Sequence, residues 1–173
     1  DKIKKYLSEF NTVLNHRGPN NSGTYINKNI GIAQTRLSII DLSENGNQPM
    51  ISNDKKKIIS YNGEVYNFFD LKKNLKHIKF KSNTDTEIVL EYLSAYGHQK
   101  FMSVANGMYA LSLLDKNENC LYLIRDKLGK KPLYYFKDQN YLIWGSEINI
   151  FFNSPIKNKL EIDPEAIQNY FDV

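Results

Sequence analysis

The sequence predicts an α+β fold with antiparallel sheets. Short β-branched and aromatic segments recur in pairs joined by brief polar turns, which is the spacing of hairpins. Two or three other stretches carry apolar residues at three- and four-residue intervals, the period of amphipathic helices. Hairpins dominate over regular strand–helix alternation, which argues for stacked layers and against a doubly wound parallel sheet.

The first 15 residues read as a helix, because Ile3, Leu7, Phe10 and Leu14 form one apolar stripe. His16-Arg17-Gly18-Pro19 breaks the stripe, and Asn20-Asn21-Ser22-Gly23 extends the break as a loop. Strands are predicted over 23–27 and 30–37, with Asn27-Lys28-Asn29 as the turn between them. A polar loop over 41–50 contains Gly46 and Pro49. A strand over 57–61 runs into Asn62-Gly63-Glu64, and a short helix follows over 68–75. Ser82-Asn83-Thr84-Asp85 has the form of a helix start, a polar residue able to cap with Glu87 in the first turn. That helix is predicted to end at Gly97, with Ile88, Val89, Tyr92 and Leu93 on its apolar face. Strands are predicted over 108–114, 120–125, 133–136 and 141–144, joined within pairs by the loops 115–119 and 137–140. A helix over 146–152 and another from Asp163-Pro164-Glu165 complete the pattern.

Composition bounds the function class. With 41% hydrophobic and 24% charged residues the chain suits a globular domain with a core. No apolar run approaches the roughly 20 residues of a membrane span, and Asp1-Lys2-Ile3-Lys4-Lys5 leads into no apolar signal region. The net charge of +4 comes from scattered lysines, clustered only at Lys55-Lys56-Lys57 and Lys72-Lys73 without interleaved aromatics. A solvated turn and helix face are expected there, and neither nucleic acid nor membrane is an expected partner. The one cysteine, Cys120, permits no internal disulfide and fits a reducing cytoplasm. His16, His77 and His98 lack metal-ligand spacing, so no metal is expected.

Four segments could carry chemistry. Asn62-Gly63 at the end of a strand offers a side-chain amide donor beside a backbone N–H that nothing shields, a workable oxyanion hole, but Asn-Gly is also the strongest hairpin dipeptide. Arg36, set among apolar strand residues, needs a carboxylate for its guanidinium fork, from a ligand or from the protein itself. Asp85 at a helix start is either a cap or an acceptor for a ligand ammonium group. Arg125 and Asp126, followed by Gly129 and Pro132, are expected to bond within the fold.

In chain order these segments resemble a known family. His16-Arg17-Gly18-Pro19, Arg36-Leu37-Ser38-Ile39, Asn62-Gly63-Glu64-Val65-Tyr66-Asn67, Thr84-Asp85-Thr86-Glu87, Gly107-Met108-Tyr109-Ala110, Arg125-Asp126 with Pro132-Leu133-Tyr134-Tyr135, and Ser146-Glu147 resemble the class II glutamine amidotransferase domain of glutamine-dependent asparagine synthetases. The resemblance implies a four-layer αββα N-terminal-nucleophile sandwich of two antiparallel sheets over 1–153. Residues 154–173 resemble the linker and start of a synthetase domain. Glutamine is the implied substrate. Arg36 would bind its α-carboxylate, with Leu37, Ser38, Ile39 and Ile40 beside it. Asp85 would take the α-ammonium with Glu64 near it, and Asn62 and Gly63 would form the oxyanion hole.

The implied nucleophile is a cysteine thiolate whose own α-amino group serves as base. In the family it precedes the first helix, and this sequence begins already inside that helix. Cys120 is read as a mid-strand, small buried hydrophobe rather than a replacement. These residues are therefore expected to recognise glutamine without hydrolysing it, and to be less stable than a domain with the cysteine-bearing strand. The resemblance implies no cofactor here. ATP and Mg belong to the synthetase domain, whose acceptor would be aspartate or another carboxylate such as a sugar acid. A homodimer is left open. The competing readings are a glutamine-binding pseudoenzyme and a plain α+β interaction module.

Overall fold

The computed structural model describes residues 2–37, 41 and 43–171. Helix α1 (Lys2–Val13) buries Leu7 from the predicted stripe and is followed by one 3-10 turn, Asn15–Arg17. Strands β1 (Asn21–Asn27) and β2 (Ile30–Arg36) form an antiparallel hairpin in which Asn27 opposes Ile30. Lys28 takes the positive-φ turn position at φ 52°. Helix α1 packs against this hairpin.

A second, four-stranded antiparallel sheet runs in the order β3 (Met50–Ile51), β4 (Lys57–Val65), β5 (Gly107–Asp115), β6 (Cys120–Arg125). Strands β7 (Tyr134–Lys137) and β8 (Leu142–Gly145) pair as another antiparallel hairpin. The architecture is thus α+β with antiparallel sheets, as the hairpin spacing predicts. Among the described residues, β2 has no strand partner but β1, and β8 none but β7.

Period-two alternation gives β4 and β5 two different faces. Ile59, Tyr61, Leu111 and Leu113 face α2 (Phe68–Lys73) and α3 (Asp85–Val104), where Leu71, Val89, Leu93 and Phe101 complete the main core. Ile58 and Leu114 instead pack with Ile32 of β2, so a small apolar cluster joins the two sheets. Burying one such aliphatic side chain contributes about 1.5–3 kcal/mol.

Four local expectations change. Gly97 does not end the helix. It breaks the helical backbone at φ 78°, ψ 169°, and helix resumes to Val104 because Phe101, fully buried, anchors the second segment in the same core. The Asn62-Gly63 pair is no turn either. It lies inside β4, opposite Ala110 and Tyr109. Lys57 also departs from a solvated turn, since it ion-pairs with the buried Asp115. Helix α4 (Asn149–Phe152) is shorter than predicted, and α5 (Pro164–Phe171) starts where expected, with the Asp163 carboxylate accepting from the N–H groups of Glu165 and Ala166. Among the described residues no helix is long and apolar enough to cross a membrane.

Candidate functional site

A cavity of about 550 Å³ lies between β2, the inner ends of β4 and β5, the start of α3, the segment 131–133 and β8. Arg36, Leu37, Asn62, Gly63, Glu64 and Asp85 all line it, so residues far apart in sequence meet in one place. Ser38, Ile39 and Ile40, the rest of the expected glutamine-binding segment, lie outside the described residues.

Arg36 ends β2, and the following loop holds its guanidinium. Nη1 donates to the Ser43 carbonyl at 2.9 Å and to Asn47 Oδ1 at 3.0 Å, and Nη2 donates to the Asp41 carbonyl. Gly46 packs closely here: a Cβ would sit 2.2 Å from Arg36 Nη2, so the guanidinium would have to move. Among the described residues no carboxylate lies within ion-pair distance of Arg36, whose partners are neutral loop oxygens instead. A guanidinium has five N–H donors. Three are used by the loop, and the remaining two suffice for one bidentate carboxylate.

Asp85 is buried at the first residue of α3, but Thr84 is the cap: its Oγ1 accepts from Glu87 N at 3.3 Å. Asp85 Oδ2 accepts from Tyr61 Oη at 2.7 Å and from Val65 N at 3.1 Å, and no described residue donates to Oδ1. Burial, and next the Asp85 carboxylate, push the Tyr61 hydroxyl far above its ordinary value, so it remains a donor.

The ladder explains why Gly63 faces the cavity with a usable donor. Tyr109 spends both backbone groups on Asp126: its N–H donates to Oδ2 at 3.2 Å and its carbonyl accepts from Asp126 N at 2.7 Å. The Gly63–Tyr109 pair is therefore not hydrogen-bonded, and the backbone groups of residues 61, 63 and 65 point away from β5. On that side Gln48 Oε1 takes Tyr61 N at 2.7 Å and Asp85 takes Val65 N. The Gly63 N–H lies between them, and no described side chain accepts from it. Glycine is required by the neighbouring strand, since a Cβ would come within 2.2 Å of the Met108 carbonyl oxygen and 2.6 Å of Tyr109 Cα.

Two further motifs bond beside residues of the cavity wall, Arg17 and Lys131. His16 Nε2 and Arg17 Nη1 both contact Glu147 Oε1, at 3.0 and 3.1 Å, tying the end of the first helix to the segment after β8. Burial raises the Glu147 carboxyl, but its bonds to His16 and Arg17 outweigh this and hold it below its ordinary value. Arg125 donates to the carbonyls of Gly129 and Lys131, and Asp126 accepts four backbone N–H groups, so both bond within the fold as expected.

Cys120 is corrected. It is exposed, not buried, because it opens the edge strand β6 right after the hairpin loop, and it is not among the cavity residues. Among the described residues no three His, Cys, Asp or Glu side chains are grouped to hold a metal. Sequence reasoning missed Asp41, Asn47 and Tyr61. For Asp41 a signal existed, an Asp with Ser43 two residues on, the pattern of an Asx turn. Tyr61 was visible only as an apolar strand residue.

The family model for the glutamine amidotransferase domain matches residues 1–173. The chain belongs to this family. Named relatives align along most of it. A putative asparagine synthetase [glutamine-hydrolyzing] 2 from Methanocaldococcus jannaschii is 36% identical over 188 residues, covering 98% of this chain and 36% of that protein. Asparagine synthetase [glutamine-hydrolyzing] 1 from Bacillus subtilis is 36% identical over 171 residues, covering 96% of this chain and 26% of the relative. Asparagine synthetase [glutamine-hydrolyzing] 1 from Arabidopsis thaliana is 34% identical over 162 residues, covering 94% and 26%. The chain thus spans 26–36% of the length of these three relatives.

Proposed function

We propose that this domain binds L-glutamine and holds its side-chain amide for hydrolysis to glutamate and ammonia, which feeds an ATP-dependent amide synthesis elsewhere in the protein. The observation that carries the reading is the meeting of Arg36, Asn62, Gly63, Glu64 and Asp85 on the walls of one cavity. The two remaining N–H groups of Arg36 receive the α-carboxylate. Asp85, assisted by Glu64, receives the α-ammonium through the oxygen that Tyr61 and Val65 leave open. The Gly63 N–H and the Asn62 side-chain amide stabilise the oxyanion formed on attack, and each such donor is worth about 10²–10³ in rate.

None of the cavity residues is a cysteine. The thiolate therefore comes from outside them, and the 173 residues alone recognise glutamine without turning it over. A glutamine-binding module without catalysis uses the same pocket and differs only in turnover. Helix α1 on one hairpin sheet, and α2 and α3 on the far side of the four-stranded sheet, support a four-layer αββα sandwich of the N-terminal-nucleophile kind. ATP and Mg²⁺ belong to a separate synthetase domain, with aspartate as the first acceptor to try because the relatives are named asparagine synthetases. A cytoplasmic setting fits the lone reduced thiol.

The test is calorimetric binding of L-glutamine to the intact protein, with a glutaminase assay beside it. Micromolar-to-millimolar binding that Arg36→Ala and Asp85→Ala each abolish is expected. An intact protein that binds no glutamine refutes the reading. Binding without ammonia release selects the non-catalytic module.

A further inference from the structure

We propose that Asp41 is a positioning residue for the substrate: it ties the Arg36 guanidinium to the start of α3 and so fixes the spacing between the carboxylate-binding and ammonium-binding groups. The inference rests on the glutamine-binding reading above. Asp41 touches both sides at once. Its backbone carbonyl accepts from Arg36 Nη2. Its Oδ1 accepts from Ser43 N at 2.8 Å, folding the loop whose Ser43 carbonyl and Asn47 side chain hold the rest of the guanidinium. Its Oδ2 accepts from Asn83 N at 2.9 Å, two residues before Asp85.

An independent contact points the same way. Gly46, in the same loop, is wedged between the two segments: a Cβ there would lie 2.2 Å from Arg36 Nη2 and 3.0 Å from the Thr84 methyl. The loop is thus a spacer between the end of β2 and the cap of α3, and the Asp41 carboxylate is its clasp. Hydrogen bonds from Asn83 N first, then from Ser43, with the Arg36 charge adding to them, hold this carboxyl down to about 2. The clasp is therefore ionised at neutral pH.

Clasp and stability separate cleanly. Ser43 and Asn83 are both exposed, so water replaces the lost acceptor at either N–H. The backbone there refolds around water, but the loop no longer sets where the guanidinium points. Glutamine bridges Arg36 and Asp85, so an error in their spacing appears as weaker binding. The carbonyl under attack is held by β4, which Asp41 does not touch.

The experiment compares Asp41→Ala and Asp41→Asn with wild type in the intact protein. It measures the Kd for L-glutamine by calorimetry, KM and kcat for ammonia release, and the thermal midpoint. Misplacement of a binding group by about 1 Å costs up to about a hundredfold, so Asp41→Ala is expected to raise Kd and KM by about ten- to a hundredfold. Asp41→Asn, which keeps one acceptor oxygen, falls between. The expected kcat stays within about threefold and the midpoint within about 2 °C. Combining Asp41→Ala with Asp85→Asn is expected to weaken binding by less than the product of the single effects, since both act on one spacing. Unchanged Kd in Asp41→Ala, strictly multiplicative losses, or a loss confined to kcat or to the midpoint overturns the proposal. If wild type itself binds no glutamine, the reading of the site has failed, and this inference goes with it.

Discussion

Asp126→Ala tests how the far wall of the cavity is held. The Asp126 carboxylate accepts four backbone N–H groups: Leu128 at 3.1 Å and Lys130 at 2.9 Å through Oδ1, Lys131 at 3.0 Å and Tyr109 at 3.2 Å through Oδ2. Tyr109 is buried, so its N–H would be left without water or acceptor, at about 1–3 kcal/mol. The Lys131 N–H is half-buried and adds about 0.5–1.5 kcal/mol, while Leu128 and Lys130 are exposed and rehydrate. The sum is about 2–4 kcal/mol. For a domain of this size that lowers the thermal midpoint by roughly 5–15 °C. Asp126→Asn keeps one oxygen and should lose about half as much. Circular dichroism melts of the three proteins measure this. A midpoint for Asp126→Ala within about 2 °C of wild type would refute the reasoning.

The same group predicts a pH dependence. Burial raises the Asp126 carboxyl, but the backbone donors together outweigh burial and hold it below its ordinary 3.8. An acid depressed in the folded state stabilises fully above its unfolded value and loses that contribution as pH falls through the folded one. The wild-type advantage over Asp126→Ala is therefore full above about pH 5 and shrinks below about pH 4. A gap that widens on acidification would contradict the sign.

Two other substitutions separate the walls from the surface. Gly63→Ala drives a methyl into the backbone of β5 and should cost about 1–3 kcal/mol in urea unfolding; on the proposed function, the intact protein should also hydrolyse glutamine more slowly, because the donor N–H shifts with the strand. Cys120→Ser should change stability by less than about 0.5 kcal/mol, and Cys120 should react with a thiol reagent in the folded protein, because it is exposed on an edge strand.

The strands were legible because their signal is local. Alternating apolar residues and polar turns placed β1, β2 and β5 to β8 within a residue or two, and β6 at its observed bounds. What could not be read depends on partners distant in the chain. Asn62-Gly63 is a turn by local chemistry and a strand because β5 lies alongside, with Ala110 opposite Asn62 and Tyr109 opposite Gly63, more than 40 positions on. Gly97 is a helix stop locally, and the continuation depends on Phe101 reaching the shared core. For the candidate site, the residue types of Arg36, Asn62, Gly63, Glu64 and Asp85 were visible, but their meeting in one cavity was known only through the family resemblance. Asp41 stayed hidden because its deciding bond is to Asn83, 42 residues away.

Among the described residues, the side of β2 away from β1 carries no ladder. In a two-residue hairpin the closing pair, Asn27 and Ile30, is hydrogen-bonded, so the amides of Ile30, Ile32 and Gln34 turn to β1. Those of Gly31, Ala33 and Thr35 turn outward, and all three line the cavity. They repeat at two-residue intervals, about 6.6–6.8 Å apart. Such a row measures backbone extension, not side-chain identity. An extended backbone laid along such a row would be bonded for its straightness, whatever side chains it carried.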